Sequence, residues 1–214
     1  MPPDRPGGPA RQERVDSIVG AARSIIEAGG LEALSMRKLA AEVGAAPTTI
    51  YWHVGSRRDL LDAVLDRMVA DLPPVVVRGS APRTRLASAA RSFRDQVRAT
   101  TATQQLAGAI GRSAELSFPA QVILAREVSA AGLSGAGAAQ AVRALLFLIG
   151  GFILLEDEFA HREPGARTTQ ELWEAVDDDA LDPGLRRAMS RGVDTDDLFD
   201  YAVDRLLASV LPAV

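Results

Sequence analysis

The sequence predicts an all-α protein, with a small N-terminal domain of helix-turn-helix type followed by a larger all-helical domain. Three observations support this class. Apolar residues recur at helical spacing along most of the 214 residues, glycine and proline interrupt them at short intervals, and no segment alternates apolar and polar residues long enough to form a strand. Aromatic residues make up only 5% of the chain, which also favours helices over a β-sandwich.

The first domain is predicted over residues 12–72. Residues 1–11 before it are rich in proline and glycine and are expected to form a disordered arm. A basic arm that reaches a nucleic-acid groove through Arg5 and Arg11 is the alternative. The first helix ends at Gly29-Gly30. Its apolar stripe consists of Val15, Ile18, Val19, Ala22, Ile25 and Ile26.

Three more helices complete this domain. Ser35 is a good N-cap for the second helix, which ends at Gly44, and Pro47 suits the first turn of a short third helix that ends at Gly55. Ser56 caps a fourth helix that runs to about residue 72. One face of this helix carries Leu60, Leu61, Val64, Leu65 and Met68.

Pro73-Pro74 forbids further helix, so residues 73–81 are predicted to be a hinge and linker. The second domain is predicted over residues 82–214. Its expected helices cover about residues 82–100, 103–112, 117–131, 135–161, 168–178, 183–190 and 195–211. One of the breaks between them is placed at Ser117-Phe118-Pro119 because proline and serine punctuate helices.

Composition excludes several classes of protein. The chain has no cysteine and only two histidines, far apart, and it carries no common catalytic or nucleotide-binding motif. We therefore predict no enzyme, no cofactor and no metal site. The longest strictly apolar run, Leu145–Leu155, is shorter than the roughly 18 residues that span a membrane. With no signal-peptide pattern, a cytoplasmic protein without membrane contact is expected.

The charge is unevenly distributed along the chain. The formal net charge is −4, yet Arg37, Lys38, Arg57 and Arg58 face a single nearby carboxylate, Glu42. Most of the acid lies elsewhere, notably between residues 177 and 182 and between 194 and 200. A local basic patch is what attraction to phosphate requires, whatever the total charge.

The helix–glycine turn–short helix over residues 35–54 has the pattern of a helix-turn-helix, whose second helix lies in the DNA major groove. That second helix crowds Thr48, Thr49, Tyr51, Trp52 and His53 around few core residues. This chemistry suits a helix with one side on the core and the other on DNA. Taken singly, each of these residues also fits an ordinary core or surface position.

Residues 35–64, SMRKLAAEVGAAPTTIYWHVGSRRDLLDAV, resemble the TetR family of repressors, most of all its tetracycline-repressor branch. The similarity is strong over residues 12–72, and a weaker one, over residues 150–158, is to that branch's long dimerisation helix. It implies that Arg37 reads a base edge, that Pro47, Thr48 and Thr49 face the groove, and that further residues hold phosphates. The full predicted DNA-binding set is Ser35, Arg37, Lys38, Pro47, Thr48, Thr49, Tyr51, Trp52, His53 and Arg57. The chain departs from the pattern at Ala46 and Pro47, where a polar base-reading residue is usual.

The resemblance also implies a small-molecule effector held among the later helices. The expected lining, which plain core packing would equally explain, is Phe93, Val97, Leu106, Ile110, Phe118, Val122, Leu146, Ile149, Phe152 and Trp173. Magnesium–tetracycline is not expected, because Pro73 and Ala107 stand where histidine ligands would be sought. An apolar or aromatic effector is predicted instead. Glu156, Asp157 and Glu158 leave a cation site open as an alternative to a solvated helix end.

A homodimer is expected because residues 138–155 are apolar on nearly all sides and Gly150-Gly151 permits close approach. The predicted function is a ligand-responsive repressor, released from a palindromic operator by its effector. Its rivals are an activator and a DNA-binding protein whose second half only dimerises.

Overall fold

The structure is a computed structural model that describes residues 9–163 and 165–211. Every regular element within these ranges is helical. The α-helices are α1 (Pro9–Gly29), α2 (Met36–Glu42), α3 (Pro47–Val54), α4 (Arg57–Ala70), α5 (Pro82–Ala99), α6 (Thr101–Ala109), α7 (Ser113–Ala130), α8 (Gly135–Ala160), α9 (Thr169–Glu174), α10 (Pro183–Met189) and α11 (Thr195–Val210). A single 3-10 turn, Leu31–Ala33, links α1 to α2. Residues 9–11 are helical instead of belonging to the expected arm, whose first eight residues lie outside the described ranges.

The chain forms two compact units whose limits differ from the predicted domain boundaries. Among the described residues, the first contains residues 9–75 together with Asp95–Val122, and the second contains Val76–Arg94 together with residues 123–163 and 165–211. The segment 95–122, which sequence reasoning assigned to the second domain, therefore packs with the helix-turn-helix.

The core of the first unit forms where the apolar stripes of its helices meet. The predicted stripe of α1 is buried from Ile18 to Ile26, and the whole predicted face of α4 is buried with it. Leu39 of α2 and Ile50 of α3 are both 0% exposed, so each short helix is anchored by a completely buried side chain. Burying such a side chain stabilises the fold by about 1.5–3 kcal/mol.

The predicted break at Ser117–Pro119 is wrong, because α7 runs unbroken through this segment with Pro119 in its second turn. A proline inside a helix removes one backbone hydrogen bond and costs about 3 kcal/mol. The helix nevertheless persists because Leu116, Ala120, Leu124 and Val128 bury one stripe at four-residue spacing.

In the second unit, α8 packs along α11. Ala141, Leu145 and Ile149 form the buried stripe of α8, and Phe199, Val203 and Leu207 form that of α11. The rings of Phe152 and Phe199 meet edge to face, with their centroids 5.1 Å apart. Each helix therefore uses one face for this contact.

The opposite face of α8 is exposed. Phe147 is 83% exposed and Leu154 is 69% exposed. By length and composition α8 is apolar enough to cross a membrane, and 17% of its most apolar stretch is buried. The run Leu145–Leu155 underestimates this length, because the segment before it is also mostly alanine, glycine and valine, interrupted by Gln140 and Arg143.

Candidate nucleic-acid interface

The start of α2 places two cations outward. Ser35 has an extended backbone, and its hydroxyl accepts a hydrogen bond from the Lys38 N–H at 3.2 Å, which caps the helix. Arg37 and Lys38 lie exposed in the first turn, because Leu39 and Ala40 supply the buried side of α2. Ser35 is thus a capping residue that positions the two cations behind it.

A tight turn connects α2 to α3. Gly44 has a φ of 63°, in the left-handed region that glycine adopts readily, and the next residue, Ala45, donates its N–H to the Ala40 carbonyl at 2.9 Å. Pro47 then begins α3, where its missing N–H removes no helical hydrogen bond. This short turn between two short helices gives the helix-turn-helix arrangement that the sequence predicts.

Helix α3 rests on Ile50 and presents most of its other side chains to solvent. Tyr51 is 48% exposed and Trp52 is 59% exposed, while Pro47 and Thr48 are also exposed and Thr49 and His53 are half-buried. Two large aromatic side chains that are about half exposed bury little area in the core. The alternative that Tyr51 and Trp52 serve the core therefore finds no support in their exposure.

The Trp52 ring has two neighbours. The His53 ring stands nearly perpendicular to it, with centroids 4.7 Å apart, and the Arg11 guanidinium of α1 lies 5.5 Å from its centroid. Together with Glu13, Arg14 and Ser17 of α1, these residues line an open groove of about 530 Å³. The sequence placed Trp52 and His53 in the interface and offered Arg11 only as part of an alternative basic arm, whereas Glu13, Arg14 and Ser17 were not predicted. The signal for them was the polar side of α1, opposite its apolar stripe.

The first turn of α4 completes the basic patch. The Ser56 hydroxyl accepts from the Asp59 N–H at 3.1 Å while the Asp59 carboxylate accepts from the Ser56 N–H at 2.8 Å, forming a capping box. The Ser56 backbone N–H and, as the smaller effect, the Ser56 hydroxyl both donate to the Asp59 carboxylate, and these two hydrogen bonds hold the pKa of Asp59 below its ordinary value. Arg57 and Arg58 are both exposed here, and Arg58 pairs with Asp62 at 2.9 Å.

The predicted effector residues are divided between the two units. Val97, Leu106, Ile110, Phe118 and Val122 belong to the first unit, where Leu106 and Ile110 lie in the hydrophobic core and Phe118 is 62% exposed. Phe93, Leu146, Ile149, Phe152 and Trp173 belong to the second. Ala107 is fully buried in the first core, so that position holds an apolar contact.

The acidic end of α8 contacts an arginine and a histidine of the same unit. Glu156 forms an ion pair with Arg94, and Asp157 contacts His161 at 3.2 Å. Among the described residues, no group of three or more histidine, cysteine or acidic side chains has the arrangement to bind a metal ion.

The family model of bacterial regulatory proteins of the tetR family matches residues 18–64. A transcriptional regulator of helix-turn-helix type from Saccharopolyspora erythraea is 29% identical over 158 residues, which cover 72% of this chain and 65% of that protein. The class D tetracycline repressor of Escherichia coli is 38% identical over 55 residues, covering 26% of this chain and 25% of the repressor. The chain therefore spans less than two thirds of these relatives.

Solved structures share the fold over most of the chain. The transcriptional regulator SCO7222 of Streptomyces coelicolor, described as a TetR, is 27% identical, with a TM-score of 0.65 over 91% of this chain and 96% of that one. BioQ in complex with its natural double-stranded DNA operator is 29% identical, with a TM-score of 0.52 over 69% of this chain and 88% of that one. The chain therefore carries a segment of the tetR family type at residues 18–64 and shares its all-helical fold with TetR regulators.

Proposed function

We propose that the protein is a ligand-responsive transcriptional repressor that binds a palindromic DNA operator as a homodimer. The observation that carries this proposal is the outward face of α3, with Thr48, Tyr51 and Trp52 exposed beside the cations of α2 and α4. A short polar–aromatic helix framed by exposed arginines suits insertion into a groove between phosphates. The operator complex of BioQ supports this use of the same fold.

The interface residues divide into two kinds of contact. Arg37 would read a base edge, and a bidentate arginine–guanine contact discriminates by about 1–3 kcal/mol. The methyl groups of Thr48 and Thr49, with Pro47, would face thymine. Contacts to phosphate, which set position without specifying sequence, would come from Lys38, Tyr51, Trp52, His53 and Arg57.

Dimerisation through α8 and α11 would place two copies of α3 on one duplex. The exposed side of these helices carries Phe147 and Leu154 of α8 and Tyr201 of α11, which is 64% exposed. A side chain added at Gly150 or Gly151 would meet nothing within 4 Å in its own chain, which leaves room for a helix of a second subunit. A two-fold axis would separate the reading helices by roughly 34 Å, one turn of DNA.

The effector would shift the population towards a conformer with wrongly spaced reading helices, so that DNA is released. An apolar or aromatic compound remains the proposed class. A DNA-binding protein whose second half only dimerises would keep its operator affinity whatever compound is added, and an activator would reverse the sign of a reporter response.

The first test compares two arginine variants on a bound duplex. Arg37→Ala should weaken binding and relax preference at one base pair per half-site, whereas Arg57→Ala should weaken binding to all sequences alike and reduce its salt dependence. Fluorescence anisotropy with single-substituted duplexes measures both effects. Arg187→Ala, an exposed arginine of α10, is the matched control. Unchanged base preference in Arg37→Ala would refute its base-reading role.

A further inference from the structure

The groove between α1 and α3 lies beside residues already assigned to DNA. Trp52 and His53 form its α3 side, while Arg11, Glu13, Arg14 and Ser17 form its α1 side. The four α1 residues are exposed, because Val15, Ile18 and Val19 turn the other side of this helix to the core. The groove therefore presents two guanidinium groups, one carboxylate and one hydroxyl next to the exposed indole.

The Arg11 guanidinium can contact the Trp52 ring and bind an anion at the same time. It lies 5.5 Å from the indole centroid, within the range of a cation–π contact. Such a contact uses the flat face of the guanidinium, whose N–H donors lie in its plane and match phosphate oxygens. Arg14 stands one helical turn further along α1 and lines the same groove.

We propose that the start of α1 is a second phosphate-binding element, in which Arg11 positions the Trp52 indole and Arg11 and Arg14 bind the DNA backbone in this groove. The inference rests on the proposed function, since it extends the interface of α3 onto α1. Glu13, the only acidic side chain among the described residues that line the groove, opposes the phosphate and limits the affinity.

Salt dependence of operator binding tests this assignment. Each phosphate contact contributes about 0.9 to the slope of log affinity against log salt. Arg11→Gln and Arg14→Gln should each lower the slope by that amount, so that their loss of affinity is about threefold larger at 50 mM salt than at 200 mM. Glu13→Gln should instead raise the affinity, an effect that damage to the fold would not produce. Arg187→Gln on α10 is the control and should leave the slope unchanged.

A double-mutant cycle between Arg11→Gln and Trp52→Phe tests the positioning role. If Arg11 acts partly through the indole, the combined loss of affinity is smaller than the product of the single losses. Independent losses would refute the positioning role, and wild-type salt slopes in both arginine variants would refute the phosphate contacts. If the wild-type protein bound no duplex at all, the proposed function would fail as well. This result differs from the failure of the groove assignment alone, in which the wild type still binds DNA.

A second arm distinguishes the DNA backbone from a free anion. Trp52 fluorescence is followed in a Trp173→Phe background while inorganic phosphate is added at constant ionic strength, and then while duplex is added. The proposal predicts a saturable change with duplex alone. A saturable response to millimolar phosphate would show that the groove takes a free anion, and would overturn the assignment to DNA.

Discussion

Arg94 is a charged side chain in the interior of the second unit, with only 2% of its side chain exposed. It pairs with Glu156 of α8 and, at 2.8 Å, with Asp196 of α11, and its guanidinium lies 4.5 Å from the Phe199 ring centroid. Burial acts to lower the pKa of Arg94, but the hydrogen bond and charge of Glu156, with Asp196, outweigh it and raise the pKa. The residue therefore stays charged and joins three helices.

Arg94→Met should destabilise the protein by about 3–5 kcal/mol, because it leaves the largely buried Glu156 carboxylate without its cation. Urea unfolding measures the loss. Arg91→Met is the matched control, since Arg91 of α5 and Asp200 of α11 form an exposed ion pair. Exposed pairs of this kind contribute about 0–1 kcal/mol. Equal losses in the two variants would contradict the role given to Arg94.

Asp59 makes a pH-dependent contribution at the start of α4. Because its pKa in the folded protein is lowered, its stabilising effect is present above the unfolded value, about 3.9, and is lost as the pH falls through the folded value. The stability advantage of the wild type over Asp59→Asn should therefore shrink between about pH 6 and about pH 3. Thermal unfolding at several pH values checks this, and a constant difference would count against the capping box.

At the scale of elements, the linker after α4 is held along α5. The Val76 N–H donates to the Ser92 hydroxyl at 2.8 Å, and the Arg78 N–H donates to the Ser88 hydroxyl at 2.7 Å. The two serines lie four residues apart on one side of α5, so a single helix face holds two alternate residues of the extended chain. Residues 76–78 of the predicted hinge are therefore held against α5 by hydrogen bonds, and we call this segment the strap.

Ser88→Ala and Ser92→Ala should each release one end of this strap. A hydrogen bond of this kind contributes about 0.5–1.5 kcal/mol, which corresponds to amide exchange about two- to tenfold faster at Arg78 or Val76. Hydrogen exchange measured by NMR resolves the two amides. Ser209→Ala is the control, because that hydroxyl bonds only within α11. Exchange that is unchanged in both strap variants would show that the serines do not hold the segment.

The elements also show what sequence alone could predict. The α1 and α4 stripes and the caps at Ser35 and Ser56 were predictable, because spacing and local hydrogen bonding determine them. The passage of α7 through Pro119 was not, since it depends on burial supplied by distant residues. Nor was the strap, because it needs side chains from a helix that follows it.

The candidate site was predictable to a similar extent. The exposed residues of α3 lie together on one short helix, so their pattern is local. Arg11 approaches Trp52 across 41 positions of sequence, and no spacing rule connects them. Leu106 and Ile110, expected around an effector, lie in the first core because α6 packs against α4.

At the scale of the whole molecule, the uneven charge suits a DNA-binding protein with net charge −4. The cations of α2 and α4 act at short range, since exposed charges are screened beyond about 8 Å at physiological salt. The acidic segments near the C-terminal end lie far along the chain from this patch. Local attraction to phosphate is therefore compatible with a negative net charge of the whole chain.

The open face of α8 leads to a prediction about assembly. Phe147→Glu or Leu154→Glu should convert a dimer to a monomer, because a charge would be buried without a partner in the subunit interface. Sedimentation velocity distinguishes the two species, and operator affinity should fall with dissociation. Leu185→Glu on α10, where the leucine is 48% exposed, is the matched control. A dimer that survives both α8 substitutions would move the interface elsewhere.

Selection of bound duplexes from a random DNA pool by the purified 214-residue chain tests directly whether two copies of α3 read DNA. If two copies of α3 insert into successive major grooves, the enriched sequences are inverted repeats whose half-site centres lie about 10 base pairs apart or slightly more. Enrichment of no sequence at low ionic strength, or of sequences without two-fold symmetry, would contradict the account.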